Sequence, residues 1–407
     1  MSSSSELNVL MVGWELPPFN SGGLGVACLG LAKALTEEGV GITFLLPRKM
    51  DISYDFMKIV FASDSTEFSY FSSPMLSYTT PELYKAINPH DVKQSRFHSL
   101  LEEVQFYALL SQAIAKREKF DLVHAHDWLT FLAGITAQRI SDKPLVAQLH
   151  ATEFDRTGNT HVNQQVYDIE RKGIHHADKV IAVSNLTKNI ITSQYATDSS
   201  HVDVVHNGVD AVDDDIGDEL VKLKKRNHIV LFVGRFTLQK GPDYFLKVAK
   251  KILEYEPHVI FVMVGAGDMK EQLIKEVASL GISDKVIFTG FLRDEKLRHI
   301  YKSADVFVMP SVSEPFGITG LESAINGTPV LVSKQSGVSE VLTHALKVDF
   351  WDIDEMVNKI LAVIRHRSLH KTLRENGKKQ AHTVSWKKAA QKVKHIYKEV
   401  LAKRKKK

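Results

Sequence analysis

Short aliphatic runs alternate with helix-length segments twice along this chain, and few folds accommodate that alternation. In the second half the runs are residues 229–233, 259–264, 286–288, 306–309 and 330–332. Amphipathic stretches at 243–255, 269–280 and 294–303 lie between them. Strands that are apolar along their whole length are buried on both faces, as when helices cover both sides of a parallel sheet. The pattern predicts a doubly wound α/β domain. The first half opens the same way, with a strand at 8–13, a Pro/Gly loop at 17–25, a helix at 26–39 and a strand at 42–47. A helix is expected from about 94 to 116, and strands at 121–125, 144–148, 179–184 and 202–205. A helical segment at 162–176 precedes the third of these. Residues 51–90 are polar and aromatic with weak periodicity and are left unassigned.

A chain of 407 residues has room for two such domains. Between the halves Asp213, Asp214, Asp215, Gly217 and Asp218 give way to Lys222, Lys224, Lys225 and Arg226, a polar stretch read as a linker over 213–226. The expected division is therefore 1–212, the linker, 227–385, and a terminal helix with a basic tail over 386–407. Two doubly wound sheets joined this way are expected to face each other across a cleft. The motifs below each follow an expected strand.

With 44% hydrophobic and 25% charged residues the composition is that of an ordinary globular protein. Cys28 is the single cysteine, which excludes an internal disulfide and fits a reducing compartment. The start lacks a signal-peptide pattern and no apolar run nears membrane-spanning length, so a cytoplasmic protein without integral membrane contact is expected. Net charge is +4, and residues 403–407 are all basic. Without them the chain is nearly neutral, which gives no argument for nucleic-acid binding.

Glu314-Pro-Phe-Gly-Ile-Thr-Gly-Leu-Glu322 carries the most chemistry. It follows the strand at 306–309 and opens a helix expected over 321–325. Gly317 and Gly320 let backbone approach closely, Thr319 offers a hydroxyl and an N–H, and a helix N-terminus favours an anion. Phe316 and Ile318 lie in the same segment. Glu314 and Glu322 are too far apart to share a helical turn. A carboxylate beside a phosphate is repulsive, so both are assigned to sugar hydroxyls. The pattern points to a nucleotide-sugar donor.

Arg235 and Lys240, in Gly-Arg-Phe-Thr-Leu-Gln-Lys-Gly after the strand at 229–233, are placed to reach one diphosphate. Arg offers a planar fork and Lys a compact charge, and together they would stabilise a departing nucleoside diphosphate without a metal. A strand-capping Arg and a solvated Lys are the plainer alternative. Gly265-Ala-Gly-Asp follows another strand and would shape the base pocket, although a tight turn explains it as well. Gly290 would bring backbone to the base, and Phe291 fits either a base platform or the core. Gly22 and Gly23, in Asn20-Ser-Gly-Gly-Leu-Gly, would donate N–H groups to the diphosphate from the first domain, or form a plain turn. Their spacing is not that of the dinucleotide fingerprint.

His150 ends the strand at 144–148, where it would bond a sugar hydroxyl and present its carbonyl to the reacting centre. A surface histidine is the alternative, in a chain with 18 of them. His124, His126 and Asp127 superficially offer metal ligands. The two histidines are expected to point to opposite faces of a strand, with no cysteine beside them, so packing roles and no metal are expected. Asp213, Asp214 and Asp215 are read as solvated linker charge.

On these residues the chain resembles the two-Rossmann (GT-B) retaining glycosyltransferases, specifically glycosyltransferase family 4 and the related glycogen/starch synthases. The resemblance spans nearly the whole chain and is strongest over 229–341. The opening Met-Val-Gly-Trp-Glu-Leu-Pro-Pro, the glycine loop and His126-Asp127-Trp128 resemble the starch-synthase catalytic domain. It implies that Arg235 and Lys240 bind the donor diphosphate, Glu314 the transferred sugar, Glu322 the ribose, and that His150 lies near the anomeric carbon. It also implies that the last helix crosses back onto the first domain. Starch synthases carry Lys-Thr-Gly-Gly-Leu where this chain has Asn20-Ser21-Gly22-Gly23-Leu24, so one donor-side cation is missing, which bears more on the acceptor than on the donor.

The expected function is retaining transfer of a hexose, glucose foremost, from ADP- or UDP-sugar to an α-glucan, with no cofactor. Synthesis of a capsular or lipid-linked oligosaccharide, or of a sucrose- or trehalose-type disaccharide, is the enzymatic alternative. A non-catalytic sugar-nucleotide or glucan binder is the other.

Overall fold

The computed structural model describes residues 7–20, 22–65, 99–158, 161–210 and 227–405. The linker at 213–226, Ser21, the start of the helix expected from 94, most of 51–90 and the last two lysines lie outside the described residues.

The chain divides into two compact units. One comprises Met1–Glu153, His161–Gly208 and Trp386–Lys407; the other comprises Phe154–Thr160 and Val209–Ser385. In the first unit the elements run β1 (Leu7–Val12), α1 (Gly23–Glu37), β2 (Val40–Leu46), β3 (Lys58–Phe61), α2 (Leu100–Arg117), β4 (Leu122–His126), α3 (Trp128–Ser141) and β5 (Leu145–Leu149). Next come α4 (Glu153–Thr157), whose last residues group with the second unit, α5 (Gln164–His176), β6 (Lys179–Ala182), α6 (Asn185–Gln194) and β7 (Val202–Val204). The sheet order is β3-β2-β1-β4-β5-β6-β7, every pair parallel. The order reverses between β1 and β4, the switch point where open α/β sheets bind ligands.

The second unit runs β8 (His228–Val233), α7 (Pro242–Leu253), β9 (Val259–Val264), α8 (Lys270–Ser279), β10 (Val286–Gly290), α9 (Asp294–Ser303), β11 (Val306–Met309) and α10 (Ile318–Ile325). It ends with β12 (Val330–Ser333), β13 (Leu346–Val348), α11 (Ile353–Arg365) and α12 (Arg367–Ala381). Its order is β10-β9-β8-β11-β12-β13, again all parallel, with the switch between β8 and β11. Phe232, Phe236, Phe245 and Phe261 fill its core, Phe245 meeting Phe261 edge-on at 5.8 Å.

Helix starts carry recognisable signals. Ser99, Asn163, Ser184 and Asp352 cap α2, α5, α6 and α11 with side-chain acceptors, and Pro242 opens α7. The last helix, α13 (Trp386–Arg404), returns to the first unit. It packs on α1 where Gly30 makes room: a Cβ there would lie 2.4 Å from the Trp386 ring. Gln391 donates to the Glu38 carboxylate at 3.1 Å, and Lys394 to the Glu38 carbonyl. No described helix is long and apolar enough to cross a membrane.

Candidate active site

The second unit gathers its motif residues at its switch point. After β8 the chain passes through Gly234 and Arg235 to a short 3-10 turn ending at Lys240. Two glycines hold this loop against its neighbours. Gly265 has φ +141°, and a Cβ there would sit 1.9 Å from the Gly234 carbonyl oxygen. Gly241 has φ +63°, and its Cβ would sit 2.2 Å from the Pro310 carbonyl oxygen. The loops after β8, β9 and β11 therefore meet backbone to backbone, a closeness available to glycine alone.

This packing puts Lys240 Nζ 2.6 Å from Glu314 Oε2, to which Ser311 Oγ also donates at 3.2 Å. The Glu314 backbone is fixed on both sides: its N–H donates to Gln335 O at 2.9 Å and its carbonyl accepts from Gly337 N at 2.9 Å. Arg235 is part-buried, its Nη2 donating to Gln239 Oε1 at 3.4 Å.

Gly317, at φ +100°, caps α10, which opens at Ile318 rather than at 321. Ile318 and Thr319 are thus first-turn residues whose N–H groups have no acceptor within the helix, the usual anion-binding arrangement. The Thr319 hydroxyl turns toward Met309 Sδ, 3.5 Å away. Gly320 lies inside the helix in ordinary contact with Val338, so it is a packing residue and not the loop glycine expected. The Phe316 ring is 2% exposed and belongs to the core; its carbonyl accepts from Val338 N.

Glu322 sits one turn further along α10 and accepts a hydrogen bond from Tyr301 OH at 3.0 Å. Burial raises its pKa, and the Tyr301 hydroxyl opposes that rise. Tyr301, on α9, carries no sequence signal for this contact. Gly290 ends β10 at φ +74° with open space beside its α-carbon, and its carbonyl accepts from Gly265 N. Phe291 is half exposed beneath the Arg293 guanidinium, 4.9 Å from its ring centroid, so it is a surface platform and not core.

In the first unit Gly22 caps α1 and Gly23 is its first residue, so this helix also begins inside the glycine loop and not at 26. Gly22 has φ −171°, which any residue adopts, and among the described residues nothing lies within 4 Å of a Cβ at Gly23. The buried Glu15 carboxylate accepts from Gly25 N at 3.2 Å.

Contrary to the expectation above, His124 and His126 share a face of β4, because positions two apart on a strand do so. Their ring centroids are 4.2 Å apart. Tyr397 OH on α13 bonds His124 Nδ1 at 2.6 Å, and His126 Nδ1 lies 3.0 Å from His150 Nε2. His150 is 7% exposed, a buried histidine and not a surface one. The Asp127 carboxylate fixes its backbone, accepting from His150 N at 2.6 Å. Burial pushes the His124 and His150 pKa values down to about 3, and that of His126 well below the usual range. The three rings are therefore neutral at pH 7.

Two doubly wound parallel sheets on one chain, with these strand-end loops, make up the architecture of the GT-B fold. Residues 217–380 match the family described as glycosyl transferases group 1, and residues 21–213 match Glycosyltransferase Family 4. An uncharacterised glycosyltransferase of Methanocaldococcus jannaschii is 30% identical over 96% of this chain and 98% of its own length. The chain belongs to glycosyltransferase family 4. Glycogen synthase of Mycobacterium tuberculosis is 26% identical over 83% of this chain and 80% of its own. The structure of HepE from Anabaena, in complex with UDP-glucose, superposes with TM-score 0.71 at 17% identity, over 97% of this chain and 100% of that one.

Proposed function

We propose that the protein transfers a hexose, glucose foremost, from ADP- or UDP-glucose to a hydroxyl of an α-glucan, with retention at the anomeric carbon. The Lys240–Glu314 pair carries this reading. A cation and a carboxylate 2.6 Å apart, beside a helix start, suit adjoining parts of one ligand: a diphosphate and the hydroxyls of the sugar it bears. Similarity to glycogen synthase supports the glucan acceptor, and the UDP-glucose complex of HepE supports the donor.

In this mechanism Arg235, Lys240 and the N–H groups of Ile318 and Thr319 stabilise the leaving diphosphate as the bond to the anomeric carbon breaks. Glu314 holds the sugar and Glu322 the ribose. Gly265 and Gly290 shape the base pocket, and Gly22 and Gly23 supply first-domain N–H groups. No side chain is assigned as a covalent nucleophile. The acceptor hydroxyl attacks from the face the diphosphate leaves, and the departing phosphate oxygen takes its proton. His150 contacts a sugar hydroxyl as a neutral ring. The protein acts in the cytoplasm.

Release of ADP and of UDP from the two donors, each with and without glycogen, tests this reading. Glycogen-dependent release, with new α-linked glucose on the polymer, is expected. Turnover of neither donor, or turnover indifferent to glycogen, overturns the donor or the acceptor respectively.

A further inference from the structure

The buried histidines of the first unit have a neighbour that the sequence did not connect to them. Cys28, on α1, brings its Sγ to within 4.8 Å of ring nitrogens of His126 and His150, which lie within the same distance of one another. All three side chains are buried. The other ring nitrogens, His126 Nε2 and His150 Nδ1, have no hydrogen-bond partner among the described residues, although unpaired buried polar atoms are costly. Ligand atoms around a tetrahedral zinc ion stand roughly 3.3–3.6 Å apart, given bonds of about 2.0–2.3 Å. The two nitrogens that face each other, His126 Nδ1 and His150 Nε2, stand 3.0 Å apart, slightly closer than that, and the sulfur, within 4.8 Å, has to approach for all three to bind one ion.

We propose that Cys28, His126 and His150 form a site for one thiophilic divalent metal ion, Zn(II) or its analogues, with a fourth ligand from solvent. A thiolate and two imidazoles are the ligand types Zn(II) favours, and a three-residue set leaves one position open. Binding deprotonates the Cys28 thiol, whose proton passes to buffer; the ring that donates in the 3.0 Å contact shifts its N–H to its other nitrogen, so both rings coordinate neutral. Burial, and after it the charges of Asp127 and Glu15, raises the Cys28 pKa, so without a metal the thiol stays protonated. Coordination occupies the ring assigned to the sugar, so the metal is an inhibitor of transfer. That last step rests on the role proposed for His150; the binding site does not.

Tag-free, chelator-treated full-length protein titrated with Co(II) tests the site. A thiolate-to-cobalt charge-transfer band in the near ultraviolet, saturating at one equivalent, is expected. Because Cys28 is the only cysteine, the band has a single source. Cys28→Ser and Cys28→Ala should abolish it, and His126→Gln should weaken binding by more than the ~10–100-fold typical of outer-shell changes. No band in the wild type, or unchanged affinity in the Cys28 variants, overturns the proposal. Should those variants misfold, Zn(II) must still slow labelling of the wild-type thiol by a maleimide, and an unchanged labelling rate overturns it equally. Zn(II) should also inhibit the wild type, while Cys28→Ala keeps its metal-free activity and resists inhibition. Binding without inhibition supports the site and removes the inhibitory role, and it counts against His150 as a sugar contact.

Discussion

Lys240 and Glu314, 74 positions apart in sequence, meet through a 2.6 Å ion pair at the switch point of the second sheet. At that distance neither can be altered without changing the field felt by the other. In the proposed mechanism, removing the cation withdraws a fixed charge from the leaving diphosphate. Lys240→Ala should lower kcat by about 10²-fold or more, the scale seen when one electrostatic stabiliser is lost. Glu314→Gln should act in the same direction, and the double variant should lose less than the product of the two. Steady-state nucleotide release measures all three, and wild-type turnover in Lys240→Ala would contradict the role.

The histidines of the first unit give a pH dependence of defined sign. The folded pKa values of His124 and His150, about 3, lie below the ordinary 6.5. The unfolded chain therefore binds protons more readily, and the stability these rings contribute is complete above about pH 6.5. It is lost as pH falls toward 3, by up to about 1.4 kcal/mol per pH unit for each ring. Urea midpoints should drop from pH 7 to pH 5, and His124→Gln should flatten the slope. A level profile in the wild type would rule out neutral burial.

Much of this was legible because fully buried parallel strands are written as unbroken aliphatic runs. Residues 259–264 and 306–309 were placed to the residue on that signal alone. β3 escaped because Lys58 is exposed on an edge strand and breaks the run. α3 escaped because buried residues occupy most of its circumference, leaving little amphipathic contrast between Trp128 and Ala137. The glycine-rich loops after the strands were legible from glycines and charges, but the helices starting within them were placed late, since glycine is a poor helix former and hides a helix's first turn. The contacts of Glu322 with Tyr301, and of Cys28 with the histidines, join residues from separate elements. No local pattern encodes them.

Gly241 tests whether the loops must touch. Its φ of +63° and the 2.2 Å approach of a Cβ to Pro310 O mean that any side chain parts the β8 and β11 loops. Gly241→Ala should lower stability by about 1–3 kcal/mol, the usual cost of forcing a side chain into such backbone. Because Lys240 adjoins it, activity should fall further than the loss of folded protein explains. Comparing kcat per folded molecule, by denaturation midpoint and active-site titration with a nucleotide, separates the effects.

The final helix is the last case, and it joins stability to the site. α13 buries Trp386, Val393, Ile396, Tyr397 and Val400 in the first unit. Large apolar side chains contribute about 1.5–3 kcal/mol each on burial, so these together rival the whole stability of a domain, about 5–15 kcal/mol. A chain ending at Ser385 should leave the first unit unfolded while the second retains its own core. The contact that reaches the histidines is narrower: Tyr397 OH to His124 Nδ1, 2.6 Å. Tyr397→Phe keeps the packing and takes the partner from His124 Nδ1, where Nε2 already has none among the described residues, which should cost about 1–3 kcal/mol. Urea denaturation should show that loss with an unchanged slope, and Tyr397→Phe should add little in a His124→Gln background. Full additivity of the two changes would mean that the helix holds the first unit by packing alone.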